Sequence, residues 1–454
     1  MTAELIARLG RALEPDRVSI VRDVLAGHRH DRSGWEPDGL PAAVVFPETV
    51  EEVQAVLRIA NELRAPVVVR GAGTGLSGAA TATGGELVLS TTRLDSILEI
   101  SPIDQLAVVQ PGVITADLDR AAGAHGLRYA PDPGSVEIST IGGNIATNAG
   151  GLRCAKYGVT RDSVLGLDVV LADGSLIRTG HRTVKGVTGY DLTGLFTGSE
   201  GTLGVVVAAT VRLRPIPAST TTVAAFFATV DRAAEASIAI TRAKLTPAVA
   251  ELLDAAALSA IDAAQGTDFR SRGNAFLLVQ TDGIGSLQEA EAVRDAIAGL
   301  ASSVTVTGDP VAADELVAVR RQALPSLEKQ GRVLIEDIAV PRSKLADAIS
   351  GVTTIAGRLG VTVATFAHAG DGNLHPIFVI DRAGQAIPEV VWSAASEVFA
   401  LALRLGGTLT GEHGVGVLKR RWLVDELGQT NLALQRNLKK VFDPRGILNP
   451  GKAL

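Results

Sequence analysis

Hydrophobic residues along this chain follow two periods, and the alternation between them predicts most of its elements. Residues 1–38 read as helix and then loop. Ala42–Phe46 is a short apolar run with strand character, and Thr49 with Glu52 makes a capping box for the helix that follows. That helix carries its stripe at Val53, Val56, Leu57, Ala60 and Leu63, the spacing of one buried face. Pro66–Val69 is again a strand, and short β runs recur at Leu87–Leu89, Ala107–Val109, Val164–Leu171 and Val205–Leu213, parted by glycine-rich turns. After Pro217 the texture changes. Strands at Val223–Phe227, Ala275–Val279 and Val304–Thr307 alternate with alanine-rich helices at Arg232–Lys244 and Ser286–Ala301, which predicts a second domain on a sheet covered on one face. Val441–Lys452 is a turn-rich tail after a helix, and no repeat of fixed period appears.

Composition narrows the class. At 454 residues the chain exceeds the roughly 250–300 residues at which one core stops growing, so two domains are expected. A net charge of -6 without any basic run gives no footprint for nucleic acid or an anionic membrane. Cys154 is the single cysteine, which excludes an internal disulfide and a thiolate metal cage and fits a reducing compartment. The longest apolar uncharged stretch, Pro215–Val230, is shorter than the roughly 18 residues of a membrane span and holds two prolines, and the N-terminus has no signal-peptide pattern. A soluble cytoplasmic protein is expected, with peripheral membrane association left open.

The chain has 49 glycines, and three polar segments are dense in them. In RGAGTGLSG, Arg70 to Gly78, the residues Gly73, Gly75 and Gly78 satisfy G-x-G-x-x-G after a strand. A dinucleotide loop of that type must open a long helix, whereas Gly84-Gly85 and a strand-like ELVLS follow here. The segment reads better as an anion-binding nest, with Thr74 and Ser77 as extra donors; a plain surface turn is the alternative. Pro131–Gly151 repeats the chemistry with Ser135, Thr140, Asn144 and Asn148, and Gly189–Gly204 does so with Ser199 and Glu200. Three such segments imply one large cofactor.

Histidine is scarce, with seven in the chain, yet His368 and His375 flank Asp371-Gly372-Asn373 in AHAGDGNLHP, and His413 follows Glu412 in TGEHGVG. Two imidazoles and a carboxylate suit zinc or a similar divalent ion; loop histidines bonded to backbone carbonyls are the alternative. His28 and His30 read as a solvated loop, and Arg320 with Arg321 as a solvated helix face unless the substrate carries a carboxylate.

Together PVVVRGAGTGLSG, PDPGSVEISTIGGNIATNAGG, TGYDLTGLFTGSEGTLG, AHAGDGNLHP, GEHGVG and DPRGILNPGK resemble, in order, the FAD-linked oxidase family of the vanillyl-alcohol oxidase superfamily, in its branch of glycolate oxidase large subunits and D-lactate dehydrogenases. The resemblance implies an α+β fold with a helical segment over 1–38, a PCMH-type FAD domain over 39–217, a cap domain with an antiparallel sheet over 218–425, and a segment 426–454 that completes the FAD domain. It implies a pyrophosphate loop at Arg70, Gly71, Gly73, Thr74, Gly75, Ser77 and Gly78. Pro133, Ser135, Thr140, Gly142, Gly143, Asn144 and Asn148 would line the FAD, followed by Glu200, Gly201, Val205 and Asn449. No histidine stands at Thr74-Gly75-Leu76, so non-covalent FAD is expected. The resemblance further implies His368, His375 and Glu412 as ligands of a divalent metal (zinc first, then manganese or iron), His413 as the catalytic base and Arg320 as the clamp on a substrate carboxylate.

The implied activity is oxidation of a small D-2-hydroxy acid to its 2-oxo acid, with hydride transfer to flavin. Leu324 and Ile335, where relatives acting on 2-hydroxyglutarate offer polar residues, favour D-lactate or glycolate. The alternatives are a 2-hydroxyglutarate dehydrogenase of the same family, a metal-dependent hydrolase, and a non-catalytic flavin-binding subunit. The electron acceptor stays open between cytochrome, quinone, electron-transfer flavoprotein and oxygen, and a homodimer is admitted.

Overall fold

The computed structural model describes residues 2–381 and 387–454. The chain divides into two compact units, the first made of Met1–Gly151, Gly158–Ile216 and Glu412–Leu454, the second of Leu152–Tyr157 and Pro217–Gly411.

In the first unit the helix Val50–Leu63 starts where its capping signal stands, with both arms of the Thr49–Glu52 box made. Its buried Val53, Val56, Leu57 and Ala60 join Val45, Val67, Leu87 and Leu89 in one core, to which the helix Thr2–Ala12 adds Leu5 and Leu9. The strands Ala43–Val45, Leu87–Ser90 and Val67–Arg70 are parallel to one another and read as unbroken apolar runs, as strands covered on both faces do. With Val18–Ser19 they form a four-stranded sheet. A five-stranded antiparallel sheet runs Ile97–Ser101, Leu106–Val109, Val205–Arg212, Val164–Val170, Leu176–Gly180. The C-terminal tail returns to the parallel sheet, where Val67 N–H donates to Ile447 O at 2.7 Å and Asn449 N–H donates to Val67 O at 2.8 Å.

The second unit is an eight-stranded antiparallel sheet, counted among the described residues. Its order is Ser303–Thr307, Thr220–Phe227, Ala275–Asp282, Val249–Leu253, Thr362–His368, Asn373–Ile380, Arg332–Ile335, with Ile338–Ala339 also on Asn373–Ile380. On one face Phe226, Phe276, Leu278, Leu253 and Phe366 pack with Leu258 and Ile261 of Ala255–Gln265 and with Ala323 and Leu327 of Pro310–Gln330. Residues of the opposite parity, Val223, Ala225, Leu252, Leu277 and Val279, are also fully buried. The helices Val230–Arg242, Ser286–Ile297 and Leu345–Leu359 lie against those strands. The sheet is therefore covered on both faces, not on one as the strand and helix alternation suggests; Val223–Phe227 is apolar at every position because neither face is wet. No described helix is long and apolar enough to cross a membrane.

Candidate active site

In the first unit the loop Arg70–Gly78 leaves a buried strand and turns back on itself with Gly73 and Gly78 at positive φ. None of the backbone N–H groups of residues 71–78 has an acceptor among the described residues. The stems of the loop, by contrast, are fixed. Arg70 is buried, donates to Ala80 O at 2.9 Å, and loses pKa to burial, partly offset by Asp31. Ser77 Oγ donates to His413 O at 3.0 Å, and Val417 N–H to Ser77 O at 2.9 Å.

Thr140 caps the short helix Ile141–Thr147 by accepting from Gly143 N–H at 3.2 Å. A Cβ on Gly71 would stand 2.4 Å from the Thr140 hydroxyl, so the first two glycine segments are packed together. Several polar residues expected to line the cofactor also hold the frame together. Asn144 Nδ2 donates to Thr115 Oγ1 at 2.7 Å, and Asn148 Oδ1 accepts from Arg161 N–H at 2.9 Å. Asn449 accepts from Val69 N–H at 3.1 Å and donates to Glu200 O at 2.6 Å. The Glu200 carboxylate accepts from Val415 and Gly416 N–H, both at 2.8 Å; burial, opposed by these two donors and by Lys419, pushes its pKa up to about 7. Val205 opens a strand with its side chain buried, and Gly201 lies against Asn449 and Val69. Pro133 is buried and Ser135 half-buried, while Gly142 packs on Pro111.

Glu412 and His413 belong to this unit. A Cβ on Gly150 would meet Glu412 Oε2, and His413 Nε2 lies 3.8 Å from Glu412 Oε1. The return segment is seated on the loop, since a Cβ on Gly78 would meet Val417 and one on Gly416 would meet Ser77.

The second unit carries the other expected residues. His368 ends the strand Thr362–His368, and His375 lies on Asn373–Ile380, whose register pairs Phe366 with His375 and His368 with Asn373. Directly opposed residues share a face, so both imidazoles stand on the face of Phe366, with ring centroids 5.1 Å apart. The connecting turn needs Gly372 at φ 89°, where a Cβ would also strike Val340 O. Glu251 is paired in register with His368 and is fully buried. It accepts from Arg320 Nε at 2.8 Å and approaches His368 Nδ1 at 2.5 Å. Burial opposes its charge, but His368 and Arg320 outweigh that and hold the carboxyl below its ordinary pKa. Arg320 also stacks over Phe366 at 5.0 Å, so it faces the sheet and is not the solvated residue that the plain reading of its helix allows. Asp337, likewise fully buried, accepts from Asn373 Nδ2 at 2.6 Å and Thr410 Oγ1 at 2.5 Å and lies 3.8 Å from His375 Nδ1. Sequence reasoning missed Glu251 and Asp337. The signal was a carboxylate within an apolar run: Glu251 alone in AELL, and Asp337 beside Glu336 in LIEDIA.

Residues 216–453 match the family model for FAD linked oxidases, C-terminal domain, and residues 41–180 match that for the FAD binding domain. The chain belongs to the FAD-linked oxidase family. It is 44% identical over 417 residues to "Glycolate oxidase subunit GlcD" of Bacillus subtilis (strain 168), covering 91% of this chain and 89% of the relative. It is 37% identical over 412 residues to "D-lactate dehydrogenase" of Archaeoglobus fulgidus, covering 90% and 91%. Among solved structures, p-cresol methylhydroxylase with substrate bound aligns with a TM-score of 0.81 at 18% identity, over 99% of this chain and 96% of that one. An alkyldihydroxyacetonephosphate synthase aligns with a TM-score of 0.78 at 20% identity, over 98% and 85%. These share the fold.

The chain is an FAD-linked oxidoreductase, and its first unit fits the cofactor. The run of N–H groups over residues 71–78 is what a pyrophosphate requires, and the small residues beside it let backbone approach a large ligand. In this FAD-linked oxidase the histidine pair offers two imidazoles on one sheet face, a donor set that suits a divalent cation.

Proposed function

We propose that this FAD-linked oxidase oxidises a small D-2-hydroxy monocarboxylate, D-lactate or glycolate, to the 2-oxo acid. The observation that carries this reading is Arg320: its Nε is taken by Glu251, so its two Nη groups remain as a fork for a carboxylate, on the same face as His368 and His375. Its relatives, a glycolate oxidase subunit and a D-lactate dehydrogenase, point to the same substrate class.

The roles divide as follows. Arg320 grips the substrate carboxylate and fixes which hydrogen of Cα is presented. His413 accepts the hydroxyl proton. His368, His375 and Glu412 hold a divalent ion, which supplies a Lewis acid for the hydroxyl oxygen. Bound FAD, held non-covalently along Arg70–Gly78 and Thr140–Asn148, supplies the hydride acceptor. Leu324 and Ile335, half-buried in the apolar cluster around Phe366, offer nothing to a second carboxylate, which argues against 2-hydroxyglutarate.

An anaerobic visible spectrum tests the reading. Adding D-lactate or glycolate should bleach the flavin bands, chelator should abolish the bleaching, and denaturation should release the flavin. A yellow protein bleached by neither acid refutes the substrate class, and one bleached only by D-2-hydroxyglutarate makes the apolar wall irrelevant.

A further inference from the structure

Glu251 lies where two parts of the proposed site meet. It sits mid-sheet on Val249–Leu253, and neither the sequence motifs nor the expected roles include it. Its exposure is 0%, and each oxygen has a different partner: Oε1 faces His368 Nδ1 at 2.5 Å, and Oε2 accepts from Arg320 Nε at 2.8 Å. A carboxylate only accepts, so His368 must carry its proton on Nδ1, which leaves the Nε2 lone pair as its one ligand site. On the other side Glu251 occupies the single Nε–H and leaves the planar Nη pair, the edge that grips a carboxylate with two parallel bonds. The register pair Glu251–His368 fixes the first contact through the sheet itself, and the Phe366 ring under Arg320 limits how the guanidinium can turn.

We propose that Glu251 is a positioning residue that acts on both sides of the reaction site at once, setting the tautomer of His368 for metal binding and the orientation of Arg320 for the substrate carboxylate. The proposal rests on the reading of His368 as a metal ligand and of Arg320 as the clamp. It distinguishes Glu251, which binds both His368 and Arg320, from Asp337, which stands behind His375 and is bonded to Asn373 and Thr410. It also carries a consequence for coupling. A change that weakens the Glu251–Arg320 bond reaches the histidine through one carboxylate, so metal affinity and substrate affinity move together.

The test uses the full-length holoprotein and its Glu251→Gln variant, which keeps shape but offers one acceptor and an N–H₂ that favours the opposite His368 tautomer. Zinc titration of chelator-stripped protein should show about 10- to 100-fold weaker binding in Glu251→Gln. KM for the bleaching acid should rise about tenfold, while flavin content stays that of the natural chain. Arg320→Ala made in the Glu251→Gln background should raise KM much less than it does alone, because the two act as one device. Unchanged zinc affinity, or additive effects on KM, overturns the proposal. A natural chain that binds no zinc or other divalent ion refutes the metal reading itself, whatever the variant does. If Glu251→Gln does not fold, histidine ¹⁵N spectra of the natural chain decide: a proton on Nδ1 of His368, assigned by its absence in His368→Gln, supports the device, and a proton on Nε2 overturns it.

Discussion

At the scale of single residues, the FAD half depends on side chains that are absent. Gly71 has an ordinary backbone conformation, so an alanine there is not strained by φ; the obstacle is the Thr140 hydroxyl 2.4 Å from where its Cβ would be. Thr140 cannot swing away at low cost, because it is β-branched and its Oγ1 caps the helix at Gly143 N–H. The loop must then shift, carrying its row of N–H groups with it, at an overpacking cost of about 1–3 kcal/mol. Gly71→Ala is expected to retain flavin at least about tenfold less tightly than the natural chain. Gly123→Ala, whose Cβ meets nothing within 4 Å, should be neutral. The ratio of flavin to protein absorbance after gel filtration reads this directly, and equal ratios for the two variants would mean that the loop tolerates the shift.

At the scale of elements, Asp254 joins a helix to the sheet. Its Oδ1 caps Ala255–Gln265 at Ala257 N–H, 2.9 Å away, and its Oδ2 accepts from Thr365 N–H at 2.7 Å. Burial outweighs these bonds and raises its pKa from 3.8 to about 6. The folded chain therefore holds this proton more tightly than the unfolded chain does. The associated stability is fully present below pH 4 and lost as pH rises to about 6, to a total of about 3 kcal/mol. Asp254→Asn keeps the cap oxygen and removes the charge. Its denaturant stability relative to the natural chain should improve by about that amount between pH 4 and pH 7, and parallel pH profiles would show that Asp254 stays charged. Local signals of this kind were open to sequence reading: the Thr49–Glu52 box and the stripe Val53 to Ala60 appear as expected. The strand Val249–Leu253 was not, because it is buried at every position and shows no period of two. Its pairing with His368 spans a separation of 117 residues that no local pattern encodes. Arg320 and His368 were already singled out in the sequence, but Glu251, which bonds to both, became visible only when the register brought the three together. The glycine segments were legible for the opposite reason: their composition is poor filler, so it declares a ligand without any knowledge of the fold.

At the scale of the whole molecule, the chain enters the first unit, leaves it, and returns, so the first unit is closed only by the segment Glu412–Leu454. Leu448 bridges Val67 in parallel, and Asn449 binds Val69 N–H, Val67 O and Glu200 O. Asp443 holds that turn by accepting from Ile447 and Leu448 N–H and from Lys439. Ending the chain after Phe442 would strip their partners from Val67 N–H, Val67 O and Glu200 O, all in buried residues, at about 1–3 kcal/mol each, and would uncover the strand under Ile447 and Leu448. The second unit loses nothing of its own. Its sheet is continuous over Pro217–Gly411, and the segment Leu152–Tyr157 is tied to it where Lys156 and Tyr157 donate to Asp282. The shortened chain should fail to bind FAD and should exchange its amides rapidly throughout Met1–Gly151 and Gly158–Ile216, while the strands Thr220–Phe227, Ala275–Asp282 and Thr362–His368 remain protected. Hydrogen exchange read peptide by peptide separates the possibilities. Protection lost only in the first unit means that each core stands alone and the tail serves one of them, whereas equal loss in both would make the molecule a single cooperative block despite its two cores.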